Sequence, residues 1–359
     1  MEEYIEINEL MEKLYTFVCH FLPHLDDYIS TVDDLSRIAI ARVGEFFLEN
    51  DIEPFMNEDF IPMDIMNKIE LLKRFYQEKN IPLDLDLILS NGVIDLECRK
   101  LEDYSFQGAF KEGCNSYLED KKSIEIYDHG ILLDTVAWLH EFAHYRNQTD
   151  KDRSEMGKLF TETISFISEL FYLDYLVDQG YEVEDYYLDN LNGEAGMIKL
   201  VAPILHLLHV YSKTGEITKE NFNSVYPDSS TVKSEFSEYS HPSDFSFHIS
   251  YVLDDYHDSC CDHDYYWSIV VGIMYSLAFP LQVYLYEEYK KDPTIFNQVE
   301  KLNDSLPMTN FEECMKLIGI DIPLTEEFLE KMDYYLSNYL NRSGSSYKKM
   351  LFKRGIDYV

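Results

Sequence analysis

Two histidines stand four residues apart in His140-Glu141-Phe142-Ala143-His144, and no other stretch of the chain points so directly to a chemistry. On a helix that spacing puts both imidazoles on one face, a turn apart, where they can grip a single Zn²⁺. The glutamate beside the first histidine then points toward the water such an ion would activate, and can take its proton as a general base. A catalytic zinc wants three protein ligands and one open position. Glu162 is well placed to be the third, eighteen residues after His144 and beyond the polar turn Asn147–Arg153, on the next helix. Glu162, Ser165 and Glu169 recur at helical spacing on one face, so Ser165 and Glu169 are expected to hold a histidine N–H while Glu162 binds the ion. Polar side chains set among Leu159, Phe160, Ile164, Phe166 and Phe171 would be costly in a plain core; a buried polar site accounts for them. The expectation is one Zn²⁺ per chain on His140, His144 and Glu162, with Glu141 as base.

The elements that must position these groups are mostly helical. Apolar residues at helical spacing predict helices over Ile5–Phe21, Val32–Glu49 and Met63–Lys79, punctuated by Pro54 and Pro82. Between Leu83 and Tyr127 the texture changes to short strand-like runs, Leu87–Leu89, Val93–Leu96 and Ile124–Tyr127, the first two joined by a hairpin turn at Ser90-Asn91-Gly92. The strand Ser123–Tyr127 reads as an edge along which an extended peptide could pair. Further helices are predicted over Leu132–Arg146, Ser154–Val177, Met197–Tyr211, Asp292–Asn303, Asn310–Ile318 and Thr325–Asn341, and Ser229–Asp264 reads as functional loops or a lid. The fold class is therefore mainly α (α+β), a helical unit with a small β-sheet beside the metal-binding helix. Residues 1–82 are expected to form an N-terminal helical lobe and 83–359 the catalytic domain, as one continuous unit.

Composition bounds the rest. A formal net charge of −37 over 359 residues argues against nucleic acid and anionic membrane surfaces, and favours mild steering of cationic ligands. Six cysteines without CxxC spacing and an acidic N-terminus without a signal-peptide pattern suggest free thiols in the cytoplasm. Trp267–Tyr286 is free of charge over twenty residues and long enough to span a bilayer. Its serines, Pro280, Gln282 and tyrosines, with no basic bias at either end, favour a buried central helix instead. His206 and His209, on an apolar helix, read as core or site-supporting groups rather than ligands. Nothing in the sequence signals an oligomeric state.

Several stretches together resemble the thimet/oligoendopeptidase F metallopeptidases. Beyond the metal motif these are Gly108-Ala109-Phe110 with Gly113, Gly130 with the lead-in Asp134–Leu139, Glu162-x-x-Ser165-x-x-x-Glu169, and Leu317-Ile318-Gly319-Ile320-Asp321 followed by Thr325–Phe328. They run in the family's order over roughly Tyr104 to Leu340. The chain departs from the family at Ala143, where glycine is usual, at Asn147, in the shorter gap to Glu162 and in an abbreviated N-terminal lobe. The resemblance implies a zincin-like peptidase that hydrolyses oligopeptides, the acidic surface favouring cationic ones. It also implies that a histidine and tyrosines of a late Tyr-rich segment steady the oxyanion; the candidates are His257 or His263, with Tyr265 or Tyr266. Two rival readings stand beside it: a catalytically silent peptide- or protein-binding chain that keeps the architecture, and a regulatory protease specific for one protein.

Overall fold

The computed structural model describes residues 2–49, 60–100, 113–118, 121–147, 154–183, 186–222 and 264–353. Within them the helices are α1 (Glu2–Phe21), α2 (Leu25–Glu49), α3 (Ile65–Glu78), α4 (Leu85–Ser90), α5 (Asp134–Asn147), α6 (Glu155–Asp178), α7 (Tyr186–Thr214), α8 (Lys219–Phe222), α9 (Asp264–Lys291), α10 (Ile295–Ser305), α11 (Phe311–Leu317) and α12 (Glu326–Lys353). The strands are β1 (Ile94–Cys98), β2 (Gly113–Leu118) and β3 (Lys121–Asp128). The architecture is mainly α, with one three-stranded sheet among the described residues.

Local chemistry explains the boundaries. Asp64 caps α3 by accepting from the Asn67 amide, and Ser154 caps α6 by accepting from the Gly157 amide at 3.0 Å. Asn310 and Glu313 close a reciprocal capping box on α11. The chain leaves α6 through Gly180 at φ 85°, a left-handed conformation that glycine adopts without Cβ strain.

Two strand expectations are corrected. Leu87-Ile88-Leu89 lies inside α4, because Asp84 accepts from the Leu87 amide at 3.0 Å and starts a helical turn there. The Ser90-Asn91-Gly92 turn thus leads out of a helix rather than joining two strands. The sheet order is β1-β3-β2: β1 runs parallel to β3 from Ile94↔Ile124 to Cys98↔Asp128, and β2 runs antiparallel from Gly113↔Ile126 to Leu118↔Lys121. β3 is therefore the central strand. The edge expected along Ser123–Tyr127 is already hydrogen-bonded to protein on both sides, and the outer strands are β1 and β2.

The core runs without interruption from Ile7 on α1 to Leu340 on α12. Its axis is α9, which packs against α6, α7, α2 and α12. Ile273, Leu277, Phe279, Leu281 and Val283 of α9 are fully buried. The segment Ile269–Lys291 passes a length and hydropathy test for a membrane span, yet 89% of its most apolar window is buried inside the protein. It is a central core helix, as its polar interruptions suggest. The N-terminal helices join the same core: α1 and α2 pack on α7, and Arg42 on α2 grips Asp333 on α12 through two hydrogen bonds of 2.5 and 2.6 Å.

Helices α7 and α9 meet closely at Gly272, where an added Cβ would stand 2.2 Å from a Val201 methyl. Gly272→Ala is expected to lower stability by about 1–3 kcal/mol, the usual cost of overpacking. Adding Val201→Ala to that variant should recover part of the loss in urea unfolding. Simple additivity of the two costs would show that the helices do not meet there.

Candidate metal centre

The histidine helix is aimed by a buried polar joint at its start. Strand β3 ends at Asp128, the chain turns through His129 and Gly130 (φ 78°), and α5 begins at Asp134. One Asp134 carboxylate oxygen accepts from the backbone amides of His129 (3.0 Å) and Ile131 (3.1 Å), and the other lies 2.9 Å from the His129 ring. Lys68 of α3, fully buried, places its ammonium between Asp128 and Asp134 and 5.2 Å from the Trp138 ring. Trp138 in turn donates its indole N–H to the Tyr127 carbonyl at 2.7 Å, tying α5 to β3. Burial alone would push the Asp134 carboxyl up; the His129 hydrogen bond and the Lys68 charge outweigh it and hold the group below its ordinary value. At the other end of α5, Arg146 pairs with Glu300 of α10.

With α5 fixed, its packing against α6 brings the predicted ligands together. His140, His144 and Glu162 are 3%, 8% and 8% exposed. Their donor atoms face one another: the two histidine Nε2 atoms are 2.7 Å apart, and the Glu162 oxygens lie 3.5 Å from His140 Nε2 and 3.4 Å from His144 Nε2. Ligands at about 2.0–2.1 Å in a zinc tetrahedron are separated by about 3.3 Å, so the carboxylate is at ligand spacing and the rings need only a small spread.

Tautomers follow from the outward nitrogens. His140 Nδ1 is 2.5 Å from Glu169 Oε1, and a carboxylate only accepts, so Nδ1 carries the proton and Nε2 presents its lone pair inward. His144 Nδ1 is 2.8 Å from Thr161 Oγ1 and 3.3 Å from Ser165 Oγ. Ser165 gives its own hydroxyl hydrogen to the Thr161 carbonyl at 3.1 Å, which leaves its oxygen to accept from the imidazole. Both rings thus turn a lone pair toward the Glu162 carboxylate in a buried pocket. Two imidazole lone pairs at 2.7 Å repel unless a proton or a cation lies between them, and a borderline-soft divalent ion suits the N₂O donor set.

The described residues place several of the expected side chains. Glu162 stands over the histidine pair, Glu169 holds His140, and Ser165 reaches His144. Glu141 is 4% exposed, next to the His140 position. Thr161, nearer to His144 than Ser165 is, was not anticipated; its place one residue before Glu162 was the signal. Lys68, Asp128 and His129, which fix the helix start, were not anticipated either. His257 and His263 lie outside the described residues, and Tyr265 and Tyr266 fall in the first turn of α9, their side chains likewise outside what is described. His206 and His209 turn instead to Asp33 of α2.

No protein-family profile and no curated protein matches the chain. Two solved structures are similar in fold. One, described as an oligoendopeptidase F of Bacillus anthracis str. Ames, is 15% identical with a TM-score of 0.46, over 91% of this chain and 56% of that one. The other, a PZ peptidase A with an inhibitor, is 13% identical with a TM-score of 0.43, over 91% and 58%. The chain spans little more than half the length of either.

The joint at Asp134 predicts an acid response. A depressed folded value means that the stabilisation is complete above the unfolded carboxylate value of about 3.9 and disappears as pH falls through the folded one. Asp134→Asn should cost about 2–3 kcal/mol at pH 7, the scale of charge-assisted hydrogen bonds lost from a buried network. Its urea midpoint should also fall less steeply than that of the native chain between pH 5 and pH 3. Equal slopes would remove Asp134 from the acid-sensitive groups.

Proposed function

We propose that this chain is a zinc-dependent peptidase that hydrolyses peptide bonds in oligopeptides. The observation that carries the reading is the convergence of His140 Nε2, His144 Nε2 and the Glu162 carboxylate, with the outward nitrogens of both rings held. A zinc ion bound there supplies Lewis acidity toward a scissile carbonyl and toward water. The remaining work falls to side chains. Glu141, adjacent to His140 and buried, takes a proton from the attacking water and delivers it to the leaving amine nitrogen. Glu169 keeps His140 in its Nδ1–H tautomer, and Thr161 with Ser165 does the same for His144, so that both imidazoles remain donors of electron pairs. A histidine from His257 or His263 and a tyrosine from Tyr265 or Tyr266 donate to the oxyanion.

An extended substrate pairs with an outer strand of the sheet, and β2 is the outer strand that packs against α5. The surplus of acidic groups favours cationic peptides, a preference that added salt weakens. The free thiols at Cys19, Cys98 and Cys314 suit a cytoplasmic setting.

Three substitutions test the assignment. Glu141→Gln should leave zinc content unchanged by elemental analysis while cleavage of a quenched-fluorescent peptide library falls by about 10²-fold or more, the scale of general-base catalysis. Glu162→Ala should remove the zinc held by His140 and His144; an unchanged zinc content in that variant means another residue is the third ligand. Glu169→Gln should weaken zinc affinity by about 10–100-fold in chelator competition, as loss of a group orienting a ligand does. Unchanged affinity would reduce Glu169 to packing.

A further inference from the structure

A second set of metal-type donors is buried between α2 and α7. His206 and His209, a turn apart on α7, bring their Nδ1 atoms to the same oxygen of Asp33, at 2.8 and 2.6 Å. Asp33 is 1% exposed and His206 5%. The three side chains offer ligand atoms that all lie within 4.8 Å of one another, as do those of His140, His144 and Glu162. As a plain hydrogen-bond network the arrangement is incomplete. One Asp33 oxygen takes both imidazole contacts, while its other oxygen, His209 Nε2 and the hydroxyl of Ser36 one turn along α2 are buried without a hydrogen bond. An interior rarely leaves a carboxylate oxygen and an imidazole lone pair unmet together.

We propose that Asp33, His206 and His209 bind a divalent transition metal of the zinc class, which clamps α2 to α7. Two imidazoles and one carboxylate suit zinc, cobalt or nickel; calcium and magnesium want a shell of oxygens. An ion in the place of the two Nδ1 protons needs the present contacts of 2.6 and 2.8 Å to open to about 3.3 Å. The protons move to the Nε2 atoms, turning the buried acceptor on His209 into a donor, and the second Asp33 oxygen becomes available as a bidentate ligand. The His209 side chain, 13% exposed, marks the side from which an ion enters. The site joins an N-terminal helix to a helix that packs on α9, so its role is structural.

The test uses the full chain carrying His140→Ala and His144→Ala, which removes the first centre and reads the second alone. After incubation with zinc chloride or cobalt chloride and dialysis, that protein should retain about one equivalent of metal, show visible cobalt absorption and melt at a higher temperature than its metal-free form. Adding His209→Gln or Asp33→Asn should abolish all three while the far-ultraviolet circular dichroism is unchanged. A folded His140→Ala/His144→Ala protein that holds no metal overturns the proposal. Should that background not fold, the native chain should hold two equivalents and His209→Gln one. One equivalent in both overturns the proposal equally and leaves the first centre standing.

Discussion

A single buried ammonium sets the geometry on which everything near the first centre depends. Lys68 belongs to α3, Asp128 closes β3 and Asp134 opens α5; the three charges meet where the three elements meet. Desolvating an ammonium and two carboxylates costs much of what their attraction returns, so the joint is better understood as a specifier of register than as a store of stability. Asp134 also accepts the amides of His129 and Ile131, which fixes the turn before α5. The direction of α5 follows, and with it the positions of His140 and His144, about two and three turns further along. The Trp138 indole bond to Tyr127 adds a second point of attachment, so α5 cannot pivot about the first.

The two histidine pairs solve opposite problems with the same side chains. On α5 the outward nitrogens reach separate acceptors, Glu169 and the Thr161/Ser165 hydroxyls, which leaves both inward nitrogens directed at a shared point. On α7 the nitrogens share one acceptor oxygen, and the unmet atoms are at the back. The facing helix makes this difference, separate acceptors on α6 and a single carboxylate on α2. Either spacing keeps both rings on one helix face, so His206 and His209 reach the same carboxylate from the facing helix.

Much of the first centre was legible because helical spacing is a local property. His140, His144, Glu162, Ser165 and Glu169 each occupy a position that helix geometry assigns from the sequence, and polar residues in an apolar run announce a site whatever surrounds it. Asp33 and Lys68 were not legible, since each meets partners from elements distant in sequence, and an acidic chain offers dozens of carboxylates to choose from. The sheet failed for a related reason. Leu85–Ser90 is a short apolar run that fits strand or helix, and only the cap from Asp84 decides it. Which strand lies between the others depends on crossovers, and alternation along one strand carries no record of them; hence the central β3 reads as an edge.

Helix α6 shows why the buried polar cluster lies where it does. Almost every residue from Met156 to Leu176 is buried, so the helix has no solvated face on which to place Thr161, Glu162, Ser165 and Glu169. Its aromatic side chains meet the rest of the core, Phe166 against Tyr275 of α9 and Phe171 against Tyr289 and Phe296, while its polar side chains turn to α5. Nearly buried, the Glu162 carboxylate and the inward imidazole lone pairs face one another in surroundings of low polarisability, where like partners repel strongly and a divalent cation would be held strongly. The apolar wall at α9 therefore acts on those donors without touching them. It raises the electrostatic penalty of leaving those donors facing one another, and the same wall keeps Glu169 and Thr161 committed to the rings they orient.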